Sequence, residues 1–139
     1  GGEVYRWTGT GNGTVSAFTT DIVAPPEIVV QNLSPSTEVP LDESLRIRWT
    51  GGGATVQLVI SQAGDLRVDA RPILHLRLGP NRGGIIIPPR ILALLPRDRN
   101  RFAFTFFSGA AKIARIEGYP DDVLVQALTS HSIVVQVSR

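Results

Sequence analysis

The 139-residue sequence contains no cysteine and no methionine, has a single lysine, Lys112, and only 6% aromatic residues. Without cysteine the chain can form no disulfide, use no thiol nucleophile and bind no zinc through thiolates. No apolar run approaches the ~18 residues of a membrane span, because Pro88 and Pro89 interrupt the longest run, residues 85–95. We therefore expect no membrane span.

The basic residues outnumber the acidic ones only slightly, 14 against 12, for a net charge of +2. Nearly all of them are arginine, which is explained either by a GC-rich genome or by selection for bidentate recognition of carboxylates and phosphates. The hydrophobic and charged fractions, 42% and 19%, are ordinary for a globular domain. Because the chain begins at Gly1-Gly2, we expect a processed product or an excised piece, and a missing leader is uninformative.

Apolar and polar residues alternate with period two in several short runs, which predicts strands with one buried face. The buried sets are predicted to be Leu45, Ile47 and Trp49; Val56, Leu58 and Ile60; Phe102, Phe104 and Phe106; and Ile133, Val135 and Val137. Glycine- and proline-containing turn signals separate these runs. This pattern predicts an all-β fold, an antiparallel β-sandwich of about seven to nine strands.

One short helical turn is predicted near residues 88–96. Pro88 and Pro89 can start a helix, Pro96 can end it, and the residues between are rich in leucine and alanine. Residues 121–128 could start a helix at Asp121, but their β-branched residues favour a strand. Residues 129–132, with His131, are predicted to form a turn or a bulge.

The chain divides at Pro25-Pro26. Residues 1–25 are predicted to form a β-hairpin or strand extension, with strands at residues 4–8 and 14–22, and residues 26–139 the sandwich. The alternative is that residues 1–25 end a preceding domain. The glycines at positions 9, 11 and 13 resemble a phosphate-binding loop, but a strand follows them rather than a helix. We interpret them as a hairpin turn, with Asn12-Gly13 suited to positive φ.

Two segments resemble a known class of domain. Trp49-Thr50-Gly51-Gly52 ends a strand, and about thirty residues later Gly83-Gly84 leads through three isoleucines into Pro88-Pro89 and a leucine-rich turn ending at Pro96. This arrangement resembles Ig-like or fibronectin type III-like domains of secreted or surface bacterial proteins. The resemblance implies an Ig-like antiparallel β-sandwich, an extracellular or cell-surface location and no catalytic residues. The charged residues 97–101 depart from the family's small polar segment.

Two groups of residues are candidates for binding. Tyr5 and Trp7 share one face of the first strand; packing under the sandwich is the ordinary role for such rings, whereas exposure in a groove would indicate a glycan platform. Arg97, Arg99 and Arg101 form the densest charge cluster and could contact acidic glycans, lipopolysaccharide or a nucleic-acid backbone, although a solvated loop is the simpler interpretation.

Catalytic and metal-binding patterns are weak. His75 and His131 have no second ligand at a recognisable spacing, and Ser130-His131-Ser132 is not a triad, because triads are assembled in space. Asp121-Asp122, or Asp65 with Asp69, could bind calcium but are too sparse for a calcium loop. We expect no enzyme activity, no catalytic residue, no metal and no cofactor.

The sequence therefore predicts a non-catalytic structural or adhesive module of an extracellular bacterial protein. Its partners would be proteins, including other copies of itself joined by strand addition into an array or filament. Residues 1–25 could supply a strand to a neighbour. The alternative is a polysaccharide-binding module that uses Tyr5, Trp7 and the arginines of residues 97–101. We expect no nucleic-acid partner.

Overall fold

The computed structural model describes residues 2–63 and 71–139, which are nearly all β. Within them lie ten strands and one short helix. They are β1 (Val4–Gly9), β2 (Phe18–Val23), β3 (Val29–Val30), β4 (Glu38–Pro40), β5 (Leu45–Thr50), β6 (Val56–Gln62), β7 (Pro72–Leu78), β8 (Gly84–Ile87), α1 (Pro89–Leu92), β9 (Arg101–Ala114) and β10 (Val123–Ser138). The all-β prediction and the helical turn are confirmed. The two packed sheets contain eight strands, within the expected seven to nine, and β1 and β2 form a separate two-stranded sheet.

Two sheets pack face to face. The larger has the order β4–β10–β9–β6–β7 and the smaller the order β3–β5–β8. All neighbours are antiparallel except β10 and β4, which run parallel. The core lies between the sheets, where Phe102, Phe104 and Phe106 of β9 are fully buried and face the smaller sheet with its buried Ile47. The predicted core residues on β5, β6, β9 and β10 are thus largely confirmed.

Trp49 is a core residue, as its phase on β5 predicts. Its side chain is 3% exposed, and its ring centroid lies 5.7 Å from that of Phe106. The indole N–H donates a hydrogen bond to Oδ1 of Asn81 at 3.1 Å. The buried aromatic ring therefore has its polar edge satisfied, as a buried tryptophan requires.

The side chain of Asn81 connects its own loop to residues 49–53, which are distant in sequence. Its Oδ1 accepts from Trp49 and from the backbone N–H of Gly83, and its Nδ2 donates to the carbonyls of Gly51 and Gly53. Gly51 has a φ of 79°, and a Cβ there would lie 1.7 Å from the carbonyl oxygen of Glu27. Only glycine fits that turn, and Asn81 holds it in place.

β9 and β10 form a hairpin that is longer than the sandwich. β6 accompanies β9 only from Phe102 to Phe107, whereas β9 pairs with β10 as far as Ala114. The β1–β2 hairpin packs against this overhang: Thr20 and Ile22 are buried there, and Nζ of Lys112 donates to the carbonyl of Asp21 at 3.2 Å. We call the β1–β2 hairpin and residues 109–128, which form the overhang and its connecting loop, together the arm.

Two local predictions are wrong. The turn or bulge predicted around His131 is absent, since β10 is continuous and His131 pairs with Phe106. Pairing along β9 outweighs the weak strand preference of the serines.

Residues 14–17 belong to the turn rather than to a strand. Oδ1 of Asn12 accepts from the backbone N–H groups of Thr14 and Val15, and the positive φ is at Gly11 instead of Asn12-Gly13.

No helix in residues 2–63 and 71–139 has the length and apolar character needed to cross a membrane.

Candidate binding groove on the arm

Tyr5 and Trp7 lie together and are exposed. They stand opposite Ile22 and Thr20 in the hairpin ladder, so their side chains share the face that turns toward the β9–β10 overhang. Ile22 and Thr20 are buried, but Tyr5 is 49% and Trp7 54% exposed. The two rings line a groove of about 270 Å³ whose other wall is formed by β10 at residues 126–128. This is the exposed arrangement that a ligand platform requires.

A second depression continues the groove past Tyr5 and is more polar. It measures about 390 Å³ and is lined by Glu3, Glu27 and the prolines at positions 25 and 26, with Leu128 and Thr129 opposite. The Tyr5 hydroxyl donates to Oε2 of Glu3 at 2.9 Å, and this hydrogen bond raises the pKa of Tyr5. The groove therefore runs from aromatic rings at one end to carboxylates at the other.

An ion pair braces the hairpin on its opposite face. Arg6 donates from Nε and Nη2 to the two carboxylate oxygens of Asp21, at 2.8 and 3.1 Å, across β1 and β2. This bidentate bond holds the pKa of Asp21 below its usual value. Because both side chains are largely exposed, the pair contributes more to register than to stability.

The groove lies beside an unpaired strand edge. Beyond β9, β10 pairs within the described residues only with β4, at Gln136–Ser138. Two hydrogen bonds show which way the backbone groups of β10 point. Val137 N–H donates toward β9, to the Asn100 carbonyl, whereas the Ser138 carbonyl accepts from Leu41 N–H on the side of β4. By that alternation the even-numbered residues of β10 direct their N–H and C=O groups away from β9. From residue 124 to residue 134 these groups form an open edge.

β1 has an open edge too. Ala24 N–H donates to the Glu3 carbonyl, so the odd-numbered residues of β1 bond to β2. The backbone groups of Val4, Arg6 and Thr8 therefore point away from β2. In residues 2–63 and 71–139 no strand pairs with them. The two open edges belong to one chain and flank the aromatic rings.

The arginines of the predicted loop lie far from the aromatic residues. Arg101 begins β9, whereas Leu128 at the groove pairs with Gly109, eight residues or about 27 Å further along the strand. Arg97, Arg99 and Arg101 are all exposed. Arg139 donates to the carbonyls of Pro96 and Arg99 and so holds the loop at this end of the sandwich. The structure thus does not bring the predicted binding residues into one site.

Histidine and carboxylate side chains do not cluster in the described residues. No group of three His, Asp or Glu side chains is close enough there to hold a metal ion. His75 bonds to Oε1 of Gln57 at 2.6 Å, and Asp122 accepts from Arg115 at 3.1 Å. Asp65 and Asp69 of the predicted calcium pair lie outside the described residues.

The sequence patterns missed a concentration of exposed apolar side chains on the arm. Eleven large hydrophobic residues are exposed in the part of the chain that the structure describes, and eight of them belong to the arm. These eight are Val4, Tyr5, Trp7, Val23, Ile113, Tyr119, Leu124 and Leu128. Period-two alternation signals which residues share a face, but not whether that face is covered. These side chains lie on more than one face, since Val4 and Val23 are on the side of the hairpin opposite to Tyr5 and Trp7.

Comparison of the chain with protein-family models, with curated proteins and with solved structures found no match.

Proposed function

We propose that this chain is a non-catalytic structural or adhesive module of Ig-like type, acting in a secreted or surface-attached bacterial protein. The sheet topology supports the Ig-like assignment. β3 belongs to the smaller sheet, where it pairs with β5. The chain then crosses to the larger sheet, where β4 runs parallel to the last strand, β10. This crossover, with antiparallel strands elsewhere, fits the immunoglobulin-type sandwich. The resemblance around Trp49 and Pro88-Pro89 supports the location.

The proposed mode of assembly is strand addition. The open edge of β1 in one copy pairs with the open edge of β10 in the next, and backbone hydrogen bonds supply the affinity. The observation that carries this proposal is the position of both edges beside exposed Tyr5 and Trp7. Because the two edges differ, the contact is heterologous and leaves a free edge at each end of the assembly. Heterologous contacts grow into open arrays when the rotation between successive copies does not close a ring.

We expect Ser130→Pro and Thr8→Pro each to stop growth of the array. Both residues direct their N–H groups away from the paired neighbour, so proline removes an edge donor without breaking an existing ladder bond. Light scattering over a concentration series should show the mean mass of the unaltered chain rising continuously, whereas that of either variant should not, because every copy then lacks one of the two edges that the contact needs.

Arg77→Pro is the matched control, because β7 is also an edge strand and Arg77 points its N–H outward by the same alternation. The control should assemble as the unaltered chain does. A continuous rise of mass in Ser130→Pro, or an equal loss in Arg77→Pro, contradicts strand addition at β10.

A polysaccharide is the second candidate ligand, favoured by the exposed rings of Tyr5 and Trp7 in one groove. A flat aromatic surface beside polar groups suits a sugar, which has apolar faces and hydroxyl edges. Gln126 and Glu3 line the groove and its continuation and could accept or donate hydrogen bonds to hydroxyls. Arg97, Arg99 and Arg101 are too distant to take part in this site.

For this candidate we expect Trp7→Ala to weaken binding to insoluble polysaccharide at least about tenfold, because one ring forms much of the wall. Tyr119→Ala is the control, since Tyr119 is 47% exposed but lies outside the groove. Pull-down of the folded variants measures the difference. Equal binding by Trp7→Ala and the unaltered chain excludes the groove as a sugar site.

A further inference from the structure

The centre of the outward face of the five-stranded sheet carries no charge, and Arg77 lies at its β7 edge, opposite Gln57. On β9 the odd-numbered residues from 103 to 113 point away from the core, as do the even-numbered residues from 124 to 134 on β10, and none of these twelve is charged. The sequence as a whole contains 26 charged residues, from the 14 basic and 12 acidic ones. The smaller sheet shows the usual pattern, with Arg46 and Arg48 on the outward side of β5.

The polar side chains on this face largely satisfy one another. Oγ1 of Thr105 bonds to Oγ of Ser132 at 2.9 Å, and His75 bonds to Gln57 at 2.6 Å. Covering them with another apolar surface would leave few donors or acceptors without a partner, so the desolvation penalty is small. Depletion of charge at the centre with self-satisfied polar groups is the composition of an interface centre.

Charges do occur at the two ends of the face, and they have opposite signs. At the tip of the arm, Glu117, Asp121 and Asp122 outnumber Arg115. At the base, Arg97, Arg99 and Arg101 outnumber Asp98 and Glu38, the latter on β4 beside Gln136. Asp121 and Arg101 are exposed, and Arg101 lies on the outward side of β9. Neither makes an ion pair with a described residue.

We propose that two copies of this chain pair through these outward sheet faces, related by a two-fold axis that runs across the strands. The axis makes the strands of the copies antiparallel, so that the acidic tip of each lies over the arginines of the other. The uncharged centres of the two faces then lie against each other. The acidic tip of one copy contacts the basic base of the other, and the two-fold axis repeats this contact at the opposite end. A second copy is the partner that matches both features at once.

The size of the face is adequate for a dimer. Ala103 to Ile113 spans about 33 Å, and β6 and β7 widen the face to about 20 Å over half that length. The projected area is on the order of 500 Å², and the accessible surface of its side chains is larger. Standard interfaces use about 800 Å² from each partner.

Sedimentation velocity tests the proposal on the full chain. In a Thr8→Pro background, where strand addition is blocked, the chain should move from a monomer of 15.0 kDa toward a dimer as its concentration rises. Leu128→Arg introduces a charge into the face at a residue that is 68% exposed, and Ile86→Arg is the matched control on the other sheet, at 54% exposure. Leu128→Arg should raise the dimer dissociation constant at least about 30-fold, because the two-fold axis brings in the charge twice. Ile86→Arg should leave the constant unchanged.

A charge exchange tests the antiparallel arrangement. Arg101→Glu and Asp121→Arg should each weaken the dimer, more at low salt than at high salt. The double variant carries both exchanged charges and should recover most of the affinity, which a loss of folding would not do. A monomer at all concentrations, equal weakening by Ile86→Arg, or an additive loss in the double variant overturns the proposal.

This inference does not rest on strand addition. The arginine variants retain every backbone donor of β10, and Ser130→Pro adds no charge to the face. If open growth persists in Leu128→Arg, strand addition is supported without the face-to-face dimer. If a dimer persists in Ser130→Pro, the face-to-face dimer is supported without strand addition.

Discussion

Phe104→Ala is expected to lower the free energy of unfolding by about 4 kcal/mol, the largest effect predicted for a single substitution here. Phe104 is fully buried and sits in the centre of the larger sheet, opposite Ile60 on one side and Ile133 on the other. Its removal eliminates the transfer free energy of a whole ring and leaves a cavity that rigid neighbouring strands fill poorly. Urea unfolding followed by tryptophan fluorescence measures the change.

Phe107→Ala is the matched control for this prediction. Phe107 lies on the same strand but points to the outward face and is only partly buried. Its loss should lower the free energy of unfolding by no more than about half as much, because less apolar area leaves water on folding. Similar losses for the two variants would contradict the assignment of even-numbered β9 residues to the core.

Asn81→Ala is expected to lower the free energy of unfolding by about 3 kcal/mol, since four hydrogen bonds depend on this one amide. The Trp49 indole N–H loses its partner in a site that is nearly closed to water. The carbonyls of Gly51 and Gly53 lose the donor that holds their turn. Chemical denaturation should show the loss, and the near-ultraviolet circular dichroism of the folded variant should change because Trp49 is released.

Asn100→Ala is the control, because Asn100 is an exposed loop asparagine whose side chain makes no hydrogen bond within the described residues. It should change the free energy of unfolding by at most about 0.5 kcal/mol. Asn81→Asp separates the two halves of the amide: the acceptor for Trp49 remains, but a carboxylate replaces the donor to two carbonyls. An Asn81→Ala protein as stable as the Asn100→Ala protein would mean that the amide network contributes nothing.

Several features of the fold could be predicted from local sequence. The alternation of Phe102, Phe104 and Phe106 identifies a buried strand face, because successive side chains of any strand point to opposite sides. The phase of Trp49 places it in the core for the same reason. Pro88, Pro89 and Pro96 bound the helical turn because proline restricts φ and lacks an N–H donor.

The candidate site could be predicted only in part. Tyr5 and Trp7 were identifiable as a pair on one strand face, but their exposure depends on how far the hairpin reaches past β10. The sequence contains no information on how far this pair lies from Arg97, Arg99 and Arg101, so it could not show whether they form one site. The overhang of β9 and β10 separates the two sets, and no local pattern records the length of a ladder.

By itself, the sequence determined which residues can be buried together: an all-β chain with period-two faces, glycine turns and one proline-bounded helical turn. These properties depend on the covalent geometry of neighbouring residues. Only the tertiary structure decided which faces are covered, which strand edges are left open, and which charges stand at opposite ends of one sheet. Those outcomes depend on pairing between segments far apart in the chain, as in the contact of Asn81 with Trp49 and of residues 4–9 with the groove beside β10.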